Sequence, residues 1–205
     1  ICLIIGLAIS FERIISLNRA DINTQAFLQR VKEALDEGGI PAAEEECAST
    51  RGPVASVFQA GLLRADEGID AVEEAVVSYG SIEMSFLERG LVWLSLFISV
   101  APMLGFLGTV IGMIEAFDSI QEAGDISPRL VAGGIKVALL TTAFGLIVAV
   151  ILQFFYNYAV SKIDRLVAEM EDASIELVDA LVALERGESA TAEKSIPESV
   201  GEREE

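Results

Sequence analysis

Residues 101–117 read APMLGFLGTVIGMIEAF, an apolar segment with three glycines and one threonine in its middle. Glycine weakens a helix relative to alanine and brings no side chain to bury, so its repeated use needs a mechanical reason. Small residues recur here every three or four positions, at Ala101, Gly105, Gly108, Gly112 and Ala116. This spacing places them on one face of a helix, which a second membrane helix can approach closely.

The segment belongs to one of two long apolar stretches. Residues 91–114 contain no charged side chain, and residues 130–161 contain a single one, Lys136. Each stretch exceeds the ~20 apolar residues that a helix needs to cross a hydrocarbon layer of ~30 Å. Two membrane spans are predicted, and the later one repeats the small-residue spacing at Gly134, Ala138, Thr141, Gly145 and Ala149.

The chain opens on ICLIIGLAIS, an apolar stretch too short to cross a bilayer. We interpret residues 1–18 as the end of a first transmembrane helix whose N-terminal part is missing. A cleaved signal peptide is the alternative interpretation, but it needs a basic start and a small-residue cleavage site, and neither is visible.

The composition argues against several functions. The chain carries 32 acidic and 14 basic residues, a net charge of -18, although 52% of its residues are hydrophobic. Such a charge disfavours nucleic acid as a partner, because binding to it depends on neutralising phosphates. With no histidine and two distant cysteines, we expect no metal site and no cofactor. No nucleophile and base occur at a recognisable spacing, so we expect no enzyme, and the run Glu44–Glu46 is interpreted as a solvated helix face.

Basic residues near the span ends set the predicted orientation, since they stay in the cytoplasm. Only Arg129 flanks the short connection between the two long stretches, which therefore faces outward.

We predict an all-α polytopic membrane protein with three transmembrane helices, long cytoplasmic helical extensions and a ring-forming homopentamer. Its segments are a first transmembrane helix (1–18), a cytoplasmic helical segment (19–89), a second transmembrane helix (90–117), a short periplasmic loop (118–129), a third transmembrane helix (130–160), a cytoplasmic amphipathic helix (161–187) and a disordered acidic tail (188–205). A helix break is expected at Gly38 and Gly39, and an uninterrupted helix from Ile69 into the membrane.

Two threonines, Thr109 and Thr142, place hydroxyls inside these apolar spans. With Thr141 they are candidate pore-lining residues, although a threonine can also bond its own helix carbonyl. On spacing alone, a static interface between the two spans is the favoured explanation of the small residues, and the two threonines are what favour a lumen instead. No Asp or Glu lies deep in either span, so a proton-driven machine would take its titrating carboxylate from another chain. Glu115 and Lys136 are a candidate ion pair at the outer end.

Three motifs make the chain resemble the MotA/TolQ/ExbB family of proton-channel stator subunits: ERIISLNRA (12–20), APMLGFLGTVIGMIEAF (101–117) and GGIKVALLTTAFGLIVAV (133–150). The resemblance implies a homopentamer in the bacterial inner membrane, enclosing an ExbD- or TolR-like single-span partner whose aspartate takes up the proton. It implies that Thr109 and Thr142 face that partner, and that a TonB-like or a Pal/TolA-like protein acts downstream. The chain departs from the family at Val137, where many ExbB and TolQ members carry glutamate.

Three functions stay open at this point. One is an ExbB-like motor subunit that energises TonB-dependent transport, and another is a TolQ-like motor for cell-envelope integrity. The third is a non-conducting membrane scaffold, in which the small residues only lock helices together and lipid surrounds the oligomer.

Overall fold

The computed structural model describes residues 1–124 and 128–194, and this part of the chain is entirely helical, without strands. It comprises six α-helices and one 3₁₀ helix, Ala65–Glu67. The α-helices are α1 (Cys2–Ala20), α2 (Thr24–Ser49), α3 (Pro53–Leu62), α4 (Ile69–Glu88), α5 (Leu91–Ala123) and α6 (Pro128–Lys194). The predicted all-α class is confirmed.

Helix boundaries differ from the sequence prediction in three places. The helix that starts at Ile69 is interrupted at Gly90, which has a φ of 93° and begins α5. Helix α5 continues to Ala123, so the first half of the predicted loop is helical, because its Ser, Gln and Glu residues are compatible with a helix, and α6 already begins at Pro128. Helix α6 is continuous to Lys194 and includes residues 188–194, which were predicted to lack structure but contain alanine and glutamate, two good helix formers. The remainder of the predicted tail, 195–205, lies outside the described residues.

The chain divides into two compact units. The first combines residues 1–18 with 87–164, and the second combines residues 19–86 with the chain from 165 onward. In the first unit α1 packs on α6 through Gly6, where an added Cβ would lie 2.6 Å from the side chain of Leu152. The buried face of α1 consists of Gly6, Ser10, Arg13 and Leu17.

The second unit has an ordinary apolar core. Phe27 of α2 and Phe58 of α3 are 1% and 0% exposed, and their ring centroids are 5.5 Å apart. At Gly61 an added Cβ would lie 2.8 Å from Val76 of α4 and 3.5 Å from Leu177 of α6, so three helices meet there. The predicted break in α2 is confirmed at Gly39, which has a φ of 67°.

Among the residues that the structure describes, two helical stretches are long and apolar enough to cross a membrane. They are Ile69–Glu122, formed by α4 and α5, and Val131–Leu184 within α6. In the most apolar 18-residue segment of each stretch, only 17% and 11% of the segment is buried. Most of this apolar surface is therefore available to lipid or to other helices. Two of the three predicted spans thus have the required length and hydropathy, and a third span at α1 remains a prediction.

Candidate functional site

The small residues of α5 and α6 face each other within the first unit and form one antiparallel seam. A Cβ added at Gly105 would lie 3.0 Å from the carbonyl oxygen of Thr141 and 3.1 Å from the Cα of Thr142. A Cβ at Gly112 would lie 3.0 Å from the backbone nitrogen of Ala138. The two backbones therefore touch, which only small side chains permit.

The seam extends to both ends of the predicted small-residue faces. At the outer end, a Cβ on Gly134 would lie 2.5 Å from the Cβ of Ala116. At the other end, a Cβ on Gly145 would lie 2.7 Å from the carbonyl oxygen of Ala101. Ala149, the last member of the predicted set, is half-buried. The structure thus uses these residues for packing between α5 and α6, one of the two interpretations of the spacing.

Thr109 and Thr142 lie together on one edge of this seam, and both are half-buried. The hydroxyl of Thr109 donates to the carbonyl oxygen of Ala138 on α6, at 3.1 Å. The hydroxyl of Thr142 donates to the carbonyl oxygen of Gly105 on α5, also at 3.1 Å. The two hydroxyls are also within hydrogen-bonding distance of each other. The hydroxyl of Thr109 also lies 3.5 Å from the carbonyl oxygen of Gly105 in its own helix. Two hydroxyl protons thus serve four contacts.

The pairing is crossed between the helices. Gly105 lies four residues before Thr109, and Ala138 lies four residues before Thr142. Each threonine therefore bonds the carbonyl that the other one would use within its own helix, and Thr109 also keeps a longer contact of 3.5 Å with its own Gly105 carbonyl. Sequence analysis did not anticipate this pairing. The signal that points to it is the shared spacing of a small residue followed by threonine four positions later.

Thr141 has a different environment from its neighbour. Its hydroxyl donates to the carbonyl oxygen of Ala138 in its own helix, at 2.8 Å. An added Cβ at Gly108 would lie 2.6 Å from the Thr141 hydroxyl oxygen, so this side chain is wedged against α5. Of the three candidate threonines, the structure brings Thr109 and Thr142 into one cluster and keeps Thr141 beside it.

The charged residues at the outer end do not form the expected intrachain pair. Glu115 and Lys136 are both exposed, and the ion pairs among the described residues do not join them. Lys136 lies two positions from Gly134 and from Ala138, both of which contact α5, so it points to the opposite side of α6. The structure therefore does not bring this predicted pair together within one chain.

A buried arginine lies at the other end of α5; in the sequence it is one of the basic residues near the span ends that set the predicted orientation. Arg13 of α1 is 6% exposed, and its Cδ lies 3.1 Å from the position of a Cβ on Gly90. Its Nε is 3.7 Å from the carboxylate of Glu12 and has no hydrogen-bond partner. A side chain at position 90 would displace this arginine, so Gly90 is needed both for its positive φ and for this contact.

The comparisons with known proteins agree on one family. Residues 49–172 match the model of the MotA/TolQ/ExbB proton channel family. A putative biopolymer transport protein ExbB homolog of Methanothermobacter thermautotrophicus is 35% identical over 169 residues, 82% of this chain. The alignment covers 60% of that relative's length, so the chain spans less than two thirds of it.

Two shorter matches and one solved structure accompany these. Biopolymer transport protein ExbB of Aquifex aeolicus is 38% identical over 36% of this chain and 49% of its own length. Tol-Pal system protein TolQ of Haemophilus influenzae is 37% identical over 37% of this chain and 33% of its own length. The structure of C. jejuni MotAB superposes with a TM-score of 0.62 at 15% identity, covering 89% of this chain and 69% of that one. The last match shows a shared fold.

Proposed function

The chain belongs to the MotA/TolQ/ExbB proton channel family, and on that premise we propose that it is an ExbB-like subunit of a proton-driven motor. Such a subunit uses the proton motive force, together with an ExbD-like partner, to energise TonB-dependent transport across the outer membrane. It acts as a homopentamer in the bacterial inner membrane. The family consists of channel and motor subunits rather than enzymes, in line with the absence of catalytic motifs from the sequence.

The observation that carries this proposal is the crossed pair of Thr109 and Thr142. Both hydroxyls lie at an edge of the seam and remain half-exposed, although they are surrounded by apolar residues. A hydroxyl both donates and accepts hydrogen bonds, so this edge can hold water or a protonated carboxyl group. We propose that the edge lines the lumen and faces the carboxylate of the enclosed partner helix.

The partner supplies the titrating group in this scheme. The spans at residues 91–114 and 130–161 contain no carboxylate, and position 137 holds valine. A proton path needs an ionisable group within the membrane, so an ExbD- or TolR-like single-span protein completes the site. The threonine pair then orients the partner's carboxyl group by hydrogen bonding. Because a hydroxyl both donates and accepts, the pair can bond this group whether it is protonated or ionised.

A TolQ-like role in envelope integrity is the second candidate, and the match to TolQ of Haemophilus influenzae favours it. The two roles share the same membrane machine and differ in the downstream protein, TonB-like in one and Pal/TolA-like in the other. Complementation separates them. Restored siderophore uptake in an ExbB-deficient host supports the first role, whereas restored detergent resistance in a TolQ-deficient host supports the second.

The threonine pair is tested with two neighbouring substitutions of the same chemistry. Thr142→Val keeps the shape of the side chain but removes the hydroxyl that bonds Gly105, whereas Thr141→Val removes one that is satisfied within its own helix. We expect Thr142→Val to assemble normally and to lose about ten-fold or more in proton-driven activity, equivalent to ~1.4 kcal/mol on the rate-limiting barrier. Thr141→Val should retain most of its activity.

The scaffold alternative predicts the opposite pattern. If the seam only locks helices, Thr142→Val leaves every measured property intact, while Gly108→Leu disrupts the packing of α5 on α6 because a Cβ there already lies 2.6 Å from Thr141. Full activity of Thr142→Val in a complex of normal mass would refute a role for the hydroxyl pair.

A further inference from the structure

A cavity of about 400 Å³ lies within the first unit, near the ends of the two apolar helices that are predicted to be cytoplasmic. Its lining contains two carboxylates, Glu88 and Asp164, and no basic side chain. Both carboxylates are exposed, and neither takes part in an ion pair among the described residues. We call this cavity the acidic mouth. Its other lining residues include Leu91, Ser95, Tyr156 and Val160.

The acidic mouth opens on the same edge of the α5–α6 pair as the two threonines. Leu91 precedes Thr109 by 18 residues, and Val160 follows Thr142 by 18 residues. Eighteen residues make five whole helical turns, so each lining residue lies on the same side of its helix as the threonine, about 27 Å away. Asp164 lies about one turn further along α6 and within about 40° of the same line.

Helix α1 covers a different side of α6. The ring centroids of Phe11 on α1 and Phe155 on α6 are 6.0 Å apart, and a Cβ on Gly6 would contact Leu152. Phe155 is about 140° around α6 from Thr142. The edge with the threonine pair and the acidic mouth is therefore left for a helix of another chain.

The charge of the acidic mouth discriminates between possible occupants. Another copy of this chain is net acidic, with 32 acidic and 14 basic residues, and an anionic lipid headgroup carries a negative phosphate, so both are disfavoured. A single-span protein differs, because Lys and Arg accumulate next to a span on its cytoplasmic side. A partner helix whose carboxyl group faces the threonine pair continues along the same edge and brings this basic flank to the acidic mouth.

We propose that the acidic mouth binds a Lys or Arg side chain in the cytoplasmic flank of the enclosed single-span partner. The inference rests on the proposed function and adds a second contact with that partner, away from the proton-carrying group. Glu88 and Asp164 supply the opposite charge, and the hydroxyls of Ser95 and Tyr156 accept further hydrogen bonds from the same cation.

The spacing along α6 sets where this basic residue lies in the partner. Asp164 follows Thr142 by 22 residues, which is about 33 Å of helix. A helical flank covers that distance in about 22 residues, and an extended flank covers it in about 10. The basic residue is therefore expected about 10–22 positions before the partner's titrating carboxylate.

Disulfide cross-linking within the complex of this chain and its single-span partner tests the contact. In a background with Cys2→Ser and Cys47→Ala, this chain carries Asp164→Cys, and a cysteine-free partner receives one cysteine at successive positions of that interval. The matched control is Lys162→Cys, because Lys162 is about 160° from Asp164 around α6. We expect a cross-linked heterodimer with position 164 and none with position 162.

Charge removal provides the second readout. Glu88→Gln combined with Asp164→Asn should raise the Kd for the partner in detergent about two- to ten-fold, and the difference should vanish at about 1 M salt. The matched control, Glu73→Gln combined with Asp179→Asn, removes the same charge from exposed positions outside the acidic mouth and should leave the Kd unchanged. Replacing the partner's basic residue by glutamate should weaken binding, and Asp164→Lys should restore it.

The outcomes separate this inference from the proposed function. A partner without Lys or Arg in the interval, equal cross-linking from positions 162 and 164, or an unchanged Kd for the double variant overturns the assignment of the acidic mouth. The motor proposal stands if such a complex is active and loses activity on Thr142→Val. Cross-linking of position 164 to a second copy of this chain instead of the partner also overturns the assignment. A wild-type chain that binds no single-span partner and shows no proton-driven activity overturns both.

Discussion

The adjacent glycines Gly133 and Gly134 provide the sharpest test of the seam. An alanine Cβ at position 134 would lie 2.5 Å from the Cβ of Ala116 and 2.7 Å from the carbonyl oxygen of Gly112. At position 133 nothing lies within 4 Å. The same substitution one residue apart therefore meets backbone in one case and open space in the other.

The magnitudes follow from two opposing terms. Replacing glycine by alanine in a helix stabilises it by about 0.5–1 kcal/mol, and Gly133→Ala gains this alone. For Gly134→Ala, carbon atoms at 2.5 Å have to move apart by about 1 Å to reach an optimal separation of ~3.5 Å. Overpacking of this kind costs about 1–3 kcal/mol. We expect Gly134→Ala to be destabilised by a net ~0–2 kcal/mol, and the two variants to differ by the overpacking cost alone, about 1–3 kcal/mol, because both gain the same helix term.

Equilibrium unfolding of the purified protein in detergent measures this difference. Each variant is compared with wild type at one protein concentration, because oligomerisation makes the midpoint depend on concentration. Equal stabilities of the two variants, or a more stable Gly134→Ala protein, would refute the close approach of α5 and α6 at this position.

Two further predictions concern the second unit. Burial, followed by the nearby carboxylate of Glu46, raises the pKa of Cys47 to about 12 from an ordinary value of 9.0. The unfolded thiol ionises first as the pH rises above about 9, so the free energy of unfolding should fall between pH 9 and 12. Cys47→Ala should remove this part of the slope, and an unchanged slope would contradict the assignment. Phe58→Ala should destabilise the protein by about 3–5 kcal/mol in chemical denaturation, because the ring is 0% exposed and contacts Phe27, and a loss below about 1 kcal/mol would contradict this packing.

Family and helical class were readable from the sequence because both are carried by local patterns. Hydropathy located the two apolar helices, and a step of three or four residues identified the small-residue faces. The sequence did not locate the interruption at Gly90. Gly80 and Gly90 both occur in the stretch predicted as one helix, and only the contact with Arg13 and a φ of 93° single out the second.

The sequence by itself determined which faces of α5 and α6 carry side chains small enough for the backbones to touch. Side-chain size and helical periodicity are properties of each segment alone. Only the tertiary structure decided that these faces meet each other, that Thr109 and Thr142 each bond a carbonyl of the opposite helix, and that Lys136 is left on the opposite side. The physical reason is that an apolar helix presents several surfaces of similar hydropathy. Which surface packs against the other helix depends on the total contact energy between the two helices. That energy is a property of both surfaces together and cannot be read from either segment alone.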